Sequence, residues 1–94
     1  MSTPQKVDFA KKIDITVVVN GQPTVVSTLD NVPLGTIVPE ALQQTENTGQ
    51  PAENWELRDA DGNLLDLNKK IEDYPFTDKT RLFLNLKAGV GGHV

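Results

Sequence analysis

Four sets of residues in this sequence have types and spacings that could carry chemistry. The first is the terminal run Ala88-Gly89-Val90-Gly91-Gly92-His93-Val94, which offers little to bury and three glycines with free backbone angles. Gly89-x-Gly91-Gly92 could suggest a phosphate-binding loop, but such a loop needs a following helix whose N-terminus faces the anion, and only two residues remain. The second is Asp59-x-Asp61-Gly62-Asn63, which has the outline of a calcium loop. Its glycine is misplaced, and Lys70 stands where a bidentate glutamate belongs, so a hairpin turn is the better reading. Third, Trp55 and Tyr74 could stack a ligand, although packing residues account for them more simply. Fourth, His93 is a lone imidazole and receives no catalytic role. With no cysteine there is no disulfide, no thiolate metal site and no thiol nucleophile. The glycine tail is the candidate that survives, the reading is not that of an enzyme, and no cofactor or metal is called for.

Composition narrows the partners. The 94 residues make one small domain, with 37% hydrophobic and 23% charged residues, close to an ordinary globular protein. The net charge of −4 argues against nucleic acid, because Lys11-Lys12 and Lys69-Lys70 are two short pairs rather than a basic stripe. No run of about 18 apolar residues occurs and the first residues carry no apolar signal region, so no membrane association is expected and the expected compartment is cytoplasmic.

The tail must be held out by the elements before it. Residues 1–11 are polar, aperiodic and interrupted by Pro4, which predicts a disordered lead-in. Ile13, Ile15, Val17 and Val19 then alternate with Asp14, Thr16 and Val18; Asn20-Gly21 supplies a two-residue turn, and Thr24 to Thr28 returns as a second strand. Pro23 suits a strand start or an edge. A helix follows, with Thr36 as N-cap, Pro39 in the first turn, Ile37 and Ala41 on its apolar stripe, a fade over residues 45–48, and Gly49 marking its end. Trp55 and Leu57 begin a third strand, Asp61-Gly62 turns it, and Leu64-Leu65 is a short fourth piece. Residues 68–76 are compact and irregular around Ile71, Tyr74 and Phe76. Leu82, Leu84 and Leu86 alternate against Arg81, Phe83, Asn85 and Lys87 in the last strand.

This order predicts an α+β fold of the β-grasp type, a mixed sheet of four to five strands with one crossing helix and the last strand beside the first. The domain spans residues 12–87, and residues 88–94 form a flexible tail. The stretch Asp61 to Leu86, DGNLLDLNKKIEDYPFTDKTRLFLNL, resembles the C-terminal half of ubiquitin without a gap. The turn glycine falls on Gly62, a buried leucine on Leu65, the short-helix segment on Ile71, Asp73 and Tyr74, and the last core positions on Leu82, Leu84 and Leu86. Gly91-Gly92 lies one residue farther along than the ubiquitin di-glycine. The pattern is similar to the bacterial ubiquitin-like modifiers, which are encoded beside E1-like activating enzymes, E2-like conjugating enzymes and JAB-type peptidases.

That resemblance implies a function. A carboxylate is a poor electrophile, so Gly92 would be activated as an acyl-adenylate, passed as a thioester to cysteines of the partner enzymes, and joined to amines of target proteins. Glycines without Cβ allow the tail to thread a narrow channel to those centres. His93 and Val94 would be removed by a processing peptidase, and Lys87, Ala88, Gly89 and Val90 would be handled by partners. Lys87 lies where ubiquitin has an arginine at the base of its tail. The recognition surface of ubiquitin is an apolar patch on the outward face of its third and fifth strands; here the matching outward positions are Arg58, Phe83 and Asn85, of which Phe83 alone is apolar. Standard ubiquitin-binding domains are therefore not expected to bind. The two lysines most used for ubiquitin chains fall on Asn63 and Asp78. A sulfur carrier bearing a thiocarboxylate at Gly92, and a β-grasp interaction module with an idle tail, are the alternatives; the His93-Val94 extension counts against the carrier.

Overall fold

The computed structural model describes residues 10–89. Strand β1 (Lys12–Val19) runs antiparallel to β2 (Gln22–Leu29) through the Asn20-Gly21 turn. Both turn residues have positive φ, 50° and 83°, the setting in which the turn twist matches that of the strands. Helix α1 (Ile37–Gln44) follows, then β3 (Trp55–Arg58) and β4 (Arg81–Leu86). The sheet order is β2-β1-β4-β3, with β1 and β4 parallel and β3 and β4 antiparallel. This is the expected β-grasp, with four strands. Leu64 makes only an isolated bridge to Arg58, so the predicted fourth piece at Leu64-Leu65 is not a strand.

Alternation in the strands decides which side is dry. Ile15, Val17, Val19, Val26, Leu57, Leu82 and Leu84 are all buried on the face covered by α1. From the helix come Ile37, Val38, Ala41 and Leu42, and Leu34, Trp55 and Ile71 close the ends of the core. Eight residues are too few for a stable isolated helix, so this packing holds α1 in place. Pro23 lies on β2, an edge strand, where a missing N–H breaks no interior ladder.

Two helix-end expectations are corrected. A 3-10 turn, Leu34–Thr36, runs straight into α1, so Thr36 is already helical (φ −61°, ψ −29°) and its hydroxyl makes no capping bond. The helix ends at Gln44, where the expected fade over residues 45–48 begins, but the left-handed residue that closes it is Glu46 and not Gly49. Asn47 N–H donates to the Leu42 carbonyl at 2.7 Å and Glu46 N–H to Gln43 at 3.1 Å, a Schellman arrangement with Glu46 at φ 60°. The buried Thr45 hydroxyl adds a bond to the Ala41 carbonyl at 2.9 Å.

The long return from β3 to β4 is laced to the loop before α1. Leu34, Gly35, Ile71 and Glu72 N–H groups donate to the carbonyls of Lys69, Leu67, Val32 and Asp30 at 2.7–3.0 Å. Tyr74 stacks on Phe76 with ring centroids 4.8 Å apart, while its hydroxyl accepts from Asp66 N–H at 2.8 Å. At the other end, next to the β1-β2 ladder, Asp30 N–H donates to the Lys11 carbonyl and Lys11 N–H donates to the Asp30 side-chain Oδ1, both at 2.9 Å.

Candidate functional site

The tail begins at the middle of the sheet. Strand β4 lies between β1 and β3, and its last residue, Leu86, pairs with Trp55. One residue on, Lys87 N–H donates to the Asn54 carbonyl at 2.8 Å, a bond from the base of the tail to the 3-10 turn Ala52–Asn54. Asn54 is steadied in turn by its side-chain amide, which donates to Gln50 Oε1 at 2.9 Å. Lys87, Ala88 and Gly89 are exposed. Gly89 has φ +83° with nothing within 4 Å of an added Cβ, so backbone conformation rather than space calls for glycine there. Val90, Gly91, Gly92, His93 and Val94 lie outside the described residues.

The three outward positions picked from the sequence fall on the solvent side of the sheet but not in one contact. Arg58 and Phe83 are cross-strand partners. Asn85 is exposed and faces Glu56 one pair along. Arg58 is tied down at both ends of its guanidinium, donating to the Gly62 carbonyl at 2.7 Å and to Glu56 Oε2 at 3.0 Å.

Strand register adds residues that the sequence reading left out. Phe83 pairs with Val18 on its other side, Val18 pairs with Pro23, and Arg58 is bridged to Leu64. Paired residues point to the same side of a sheet, so Pro23, Val18, Phe83, Arg58 and Leu64 form one row across the solvent face. Val25 stands beside it, paired with Thr16, and Thr16 pairs with Arg81. Val25 is 53% exposed and Leu64 60%. The period-two pattern already put Val18 on the outward face; which strands it would neighbour was not in the pattern.

The Asp59 loop is a turn held by its own carboxylate. Oδ1 accepts from the N–H groups of Asn63 and Asp61, both at 2.9 Å, and Gly62 adopts φ +86°. Bonds from Asn63, main chain first and then side chain, hold the Asp59 carboxyl below its ordinary value of 3.8. Among the described residues, no three His, Cys, Asp or Glu side chains converge as metal ligands. Nor is any helix among them long and apolar enough to cross a membrane.

Comparison with known proteins agrees with this architecture. The chain is 56% identical over 81 residues to the uncharacterized protein y4jI of Sinorhizobium fredii, and the match covers 86% of this chain and 62% of that protein. The chain thus spans under two thirds of the relative's length. Among solved structures, the ubiquitin of Caldiarchaeum subterraneum superposes with a TM-score of 0.68 at 19% identity, over 87% of this chain and all of that one. The ubiquitin-like domain of an Arabidopsis thaliana protein gives 0.68 at 17% identity, over 100% of this chain and 97% of that one. These likenesses show a ubiquitin-like fold. The family model described as Protein of Unknown function (DUF2604) matches residues 8–92. With most of its length under that model and a ubiquitin-like β-grasp beneath it, this chain belongs to the DUF2604 family.

Proposed function

We propose that this chain is a ubiquitin-like modifier, joined through the Gly92 carboxylate to amines of target proteins. The observation that carries the reading is positional: the glycine-rich sequence follows directly from β4, at the centre of a ubiquitin-like sheet, with Lys87 the last of the described residues whose main chain is hydrogen-bonded back to the domain. The match to the family model runs as far as Gly92, the proposed point of cleavage. A peptidase of the JAB type would add water across the Gly92–His93 bond and release the dipeptide. An E1-like enzyme would let the new carboxylate attack the α-phosphate of a nucleoside triphosphate, with pyrophosphate leaving. A partner thiolate would then displace the nucleotide monophosphate, transfer to a cysteine of an E2-like enzyme would follow, and a lysine amine would displace that thiol to form the isopeptide bond. Every catalytic group belongs to the partners, and the part of this chain is a narrow, Cβ-poor tail on a rigid domain. The bacterial setting and the cytoplasmic compartment belong to the same proposal.

The test is the intact mass of the protein recovered from its native host. A main species ending at Gly92, accompanied by heavier conjugates, is the expected result. A thiocarboxylate on that species would replace the modifier by a sulfur carrier. If every molecule still ends at Val94 and no conjugate is found, the modifier reading fails and an interaction module takes its place.

A further inference from the structure

Where the chain leaves β3 and where it enters β4, two turns border a cavity of about 410 Å³. It lies at the start of β4, the full six-residue strand away from Lys87 and the tail. Leu65, Tyr74 and Phe76, all half-buried, form its apolar floor. One wall is the Asp59 turn, which carries Asp61; the other is the approach to β4, which carries Lys79 and Arg81. Each part is held in place. The Asp59 carboxylate accepts from the N–H groups of Asp61 and Asn63, both at 2.9 Å. Thr77 N–H donates to Thr80 Oγ1 at 2.8 Å, and Thr80 N–H donates to the Thr77 carbonyl at 3.1 Å. Tyr74 is stacked on Phe76, donates its hydroxyl proton to the Asp66 carbonyl at 3.0 Å, and has Lys69 Nζ 5.3 Å over its ring. The cavity is thus preformed, and its volume falls in the range of small-molecule sites.

Charge selects the occupant. The Lys79 ammonium and the Arg81 guanidinium have no hydrogen-bond or ion-pair partner among the described residues. Asp59 does not neutralise them, because both its oxygens are engaged within its own turn. On the other wall, the exposed Asp61 carboxylate is an acceptor that nothing among the described residues engages. An aromatic floor with two cations on one side and one acceptor on the other suits one kind of molecule. We infer that the cavity binds a small aromatic acid, with its ring on Leu65 and Phe76, its carboxylate at Lys79 and Arg81, and a ring hydroxyl or N–H donating to Asp61. A saturated acid would forgo the ring contact with Phe76, and an aromatic amine would set a cation against Lys79 and Arg81. None of these five residues stands in the row across the solvent face of the sheet. The site requires neither Gly92 nor an activating enzyme, so it stands or falls apart from the conjugation reading.

A titration of the intact ¹⁵N-labelled chain with para-hydroxyphenylacetate, at neutral pH and low salt, tests this inference. Saturable shifts at the amides of Asp61, Leu65, Phe76, Lys79 and Arg81 are expected, with a Kd of about 1 mM or tighter. Tyramine, a similar body with the charge reversed, should bind at least about tenfold more weakly. Lys79→Glu combined with Arg81→Glu, both at exposed positions, should invert that preference with amide dispersion retained. Phe76→Ala should weaken binding about fivefold or more; should that variant not fold, the charge reversal carries the test. The inference is overturned if no shift saturates by about 10 mM. It is equally overturned if acetate gives the same shifts, which would mean a bare anion contact, or if cyclohexylacetate binds as tightly, which would mean that no aromatic ring is read. Shifts gathered instead at Lys11, Lys12 and Ile13 would place the ligand in the neighbouring cavity of about 320 Å³ and overturn it as well.

Discussion

Asp59 organises its turn through charge, and the sign of its pH dependence follows from the bonds it accepts. Because the folded-state value lies below 3.8, the native state binds the proton less readily than the unfolded chain. The stabilisation from the ionised carboxylate is therefore complete above 3.8, and it is lost as pH falls below 3.8 through the lowered folded value. A carboxyl NMR titration should find the Asp59 midpoint under 3.8; a midpoint at or above that value would mean the Asn63 and Asp61 bonds do not persist in solution. Glu46 offers a second residue-level test. It holds φ 60° at the helix C-terminus, a setting that costs a side-chain-bearing residue about 1 kcal/mol and costs glycine little. Glu46→Gly should stabilise the fold by about 0.5–1 kcal/mol in urea denaturation. At Trp55 two effects oppose each other. The indole is 3% exposed and its N–H has no partner among the described residues, so Trp55→Phe removes a donor whose burial costs about 1–3 kcal/mol while opening a void worth about as much. Stability within about 1 kcal/mol of the parent is the expected outcome.

At the scale of elements, the strands were legible and the helix ends were not. Alternation from Ile13 to Val19 and from Leu82 to Leu86 is a direct imprint of a half-buried sheet, and Asn20-Gly21 is demanded by two consecutive positive φ angles. At the end of α1 the obvious αL residue is Gly49, yet Glu46 adopts that conformation, three residues earlier, next to the buried Thr45. Thr36 failed as a cap because the preceding 3-10 turn leaves it helical. That turn has a reason visible only in three dimensions. Gly35 N–H donates to the Leu67 carbonyl at 2.9 Å, and an added Cβ would lie 3.1 Å from Leu67 Cβ and 3.2 Å from its oxygen. Gly35→Ala should accordingly destabilise the fold by about 1–3 kcal/mol, measurable as a shift in the urea midpoint with unchanged slope. An unchanged midpoint would show that the loop carrying Leu67 yields without cost.

For the whole molecule, tail and domain are separable in energy. Among the described residues, the core and the main-chain tie at Lys87 do not draw on Gly89. Deleting residues 91–94 should leave thermal stability within about 1 °C of the full chain, since 1 kcal/mol corresponds to about 4–8 °C at this size. The same deletion should abolish every conjugate, and surviving conjugates would place the linkage elsewhere. The sequence by itself determined the fold class, the inward faces of the strands, the parallel closing strand and the order in which domain and glycine tail follow each other. The strand faces are written in local periodicity and turn residues, and the closing strand beside the first in the order of elements that makes a β-grasp. The tertiary structure decided the helix ends, the lacing of Leu67 to Gly35, and the solvent-facing row through Pro23, Val18, Phe83, Arg58 and Leu64. A row across a sheet is set by the register of strands distant in sequence, and each strand's own alternation says only which way a side chain points, never which side chain stands beside it.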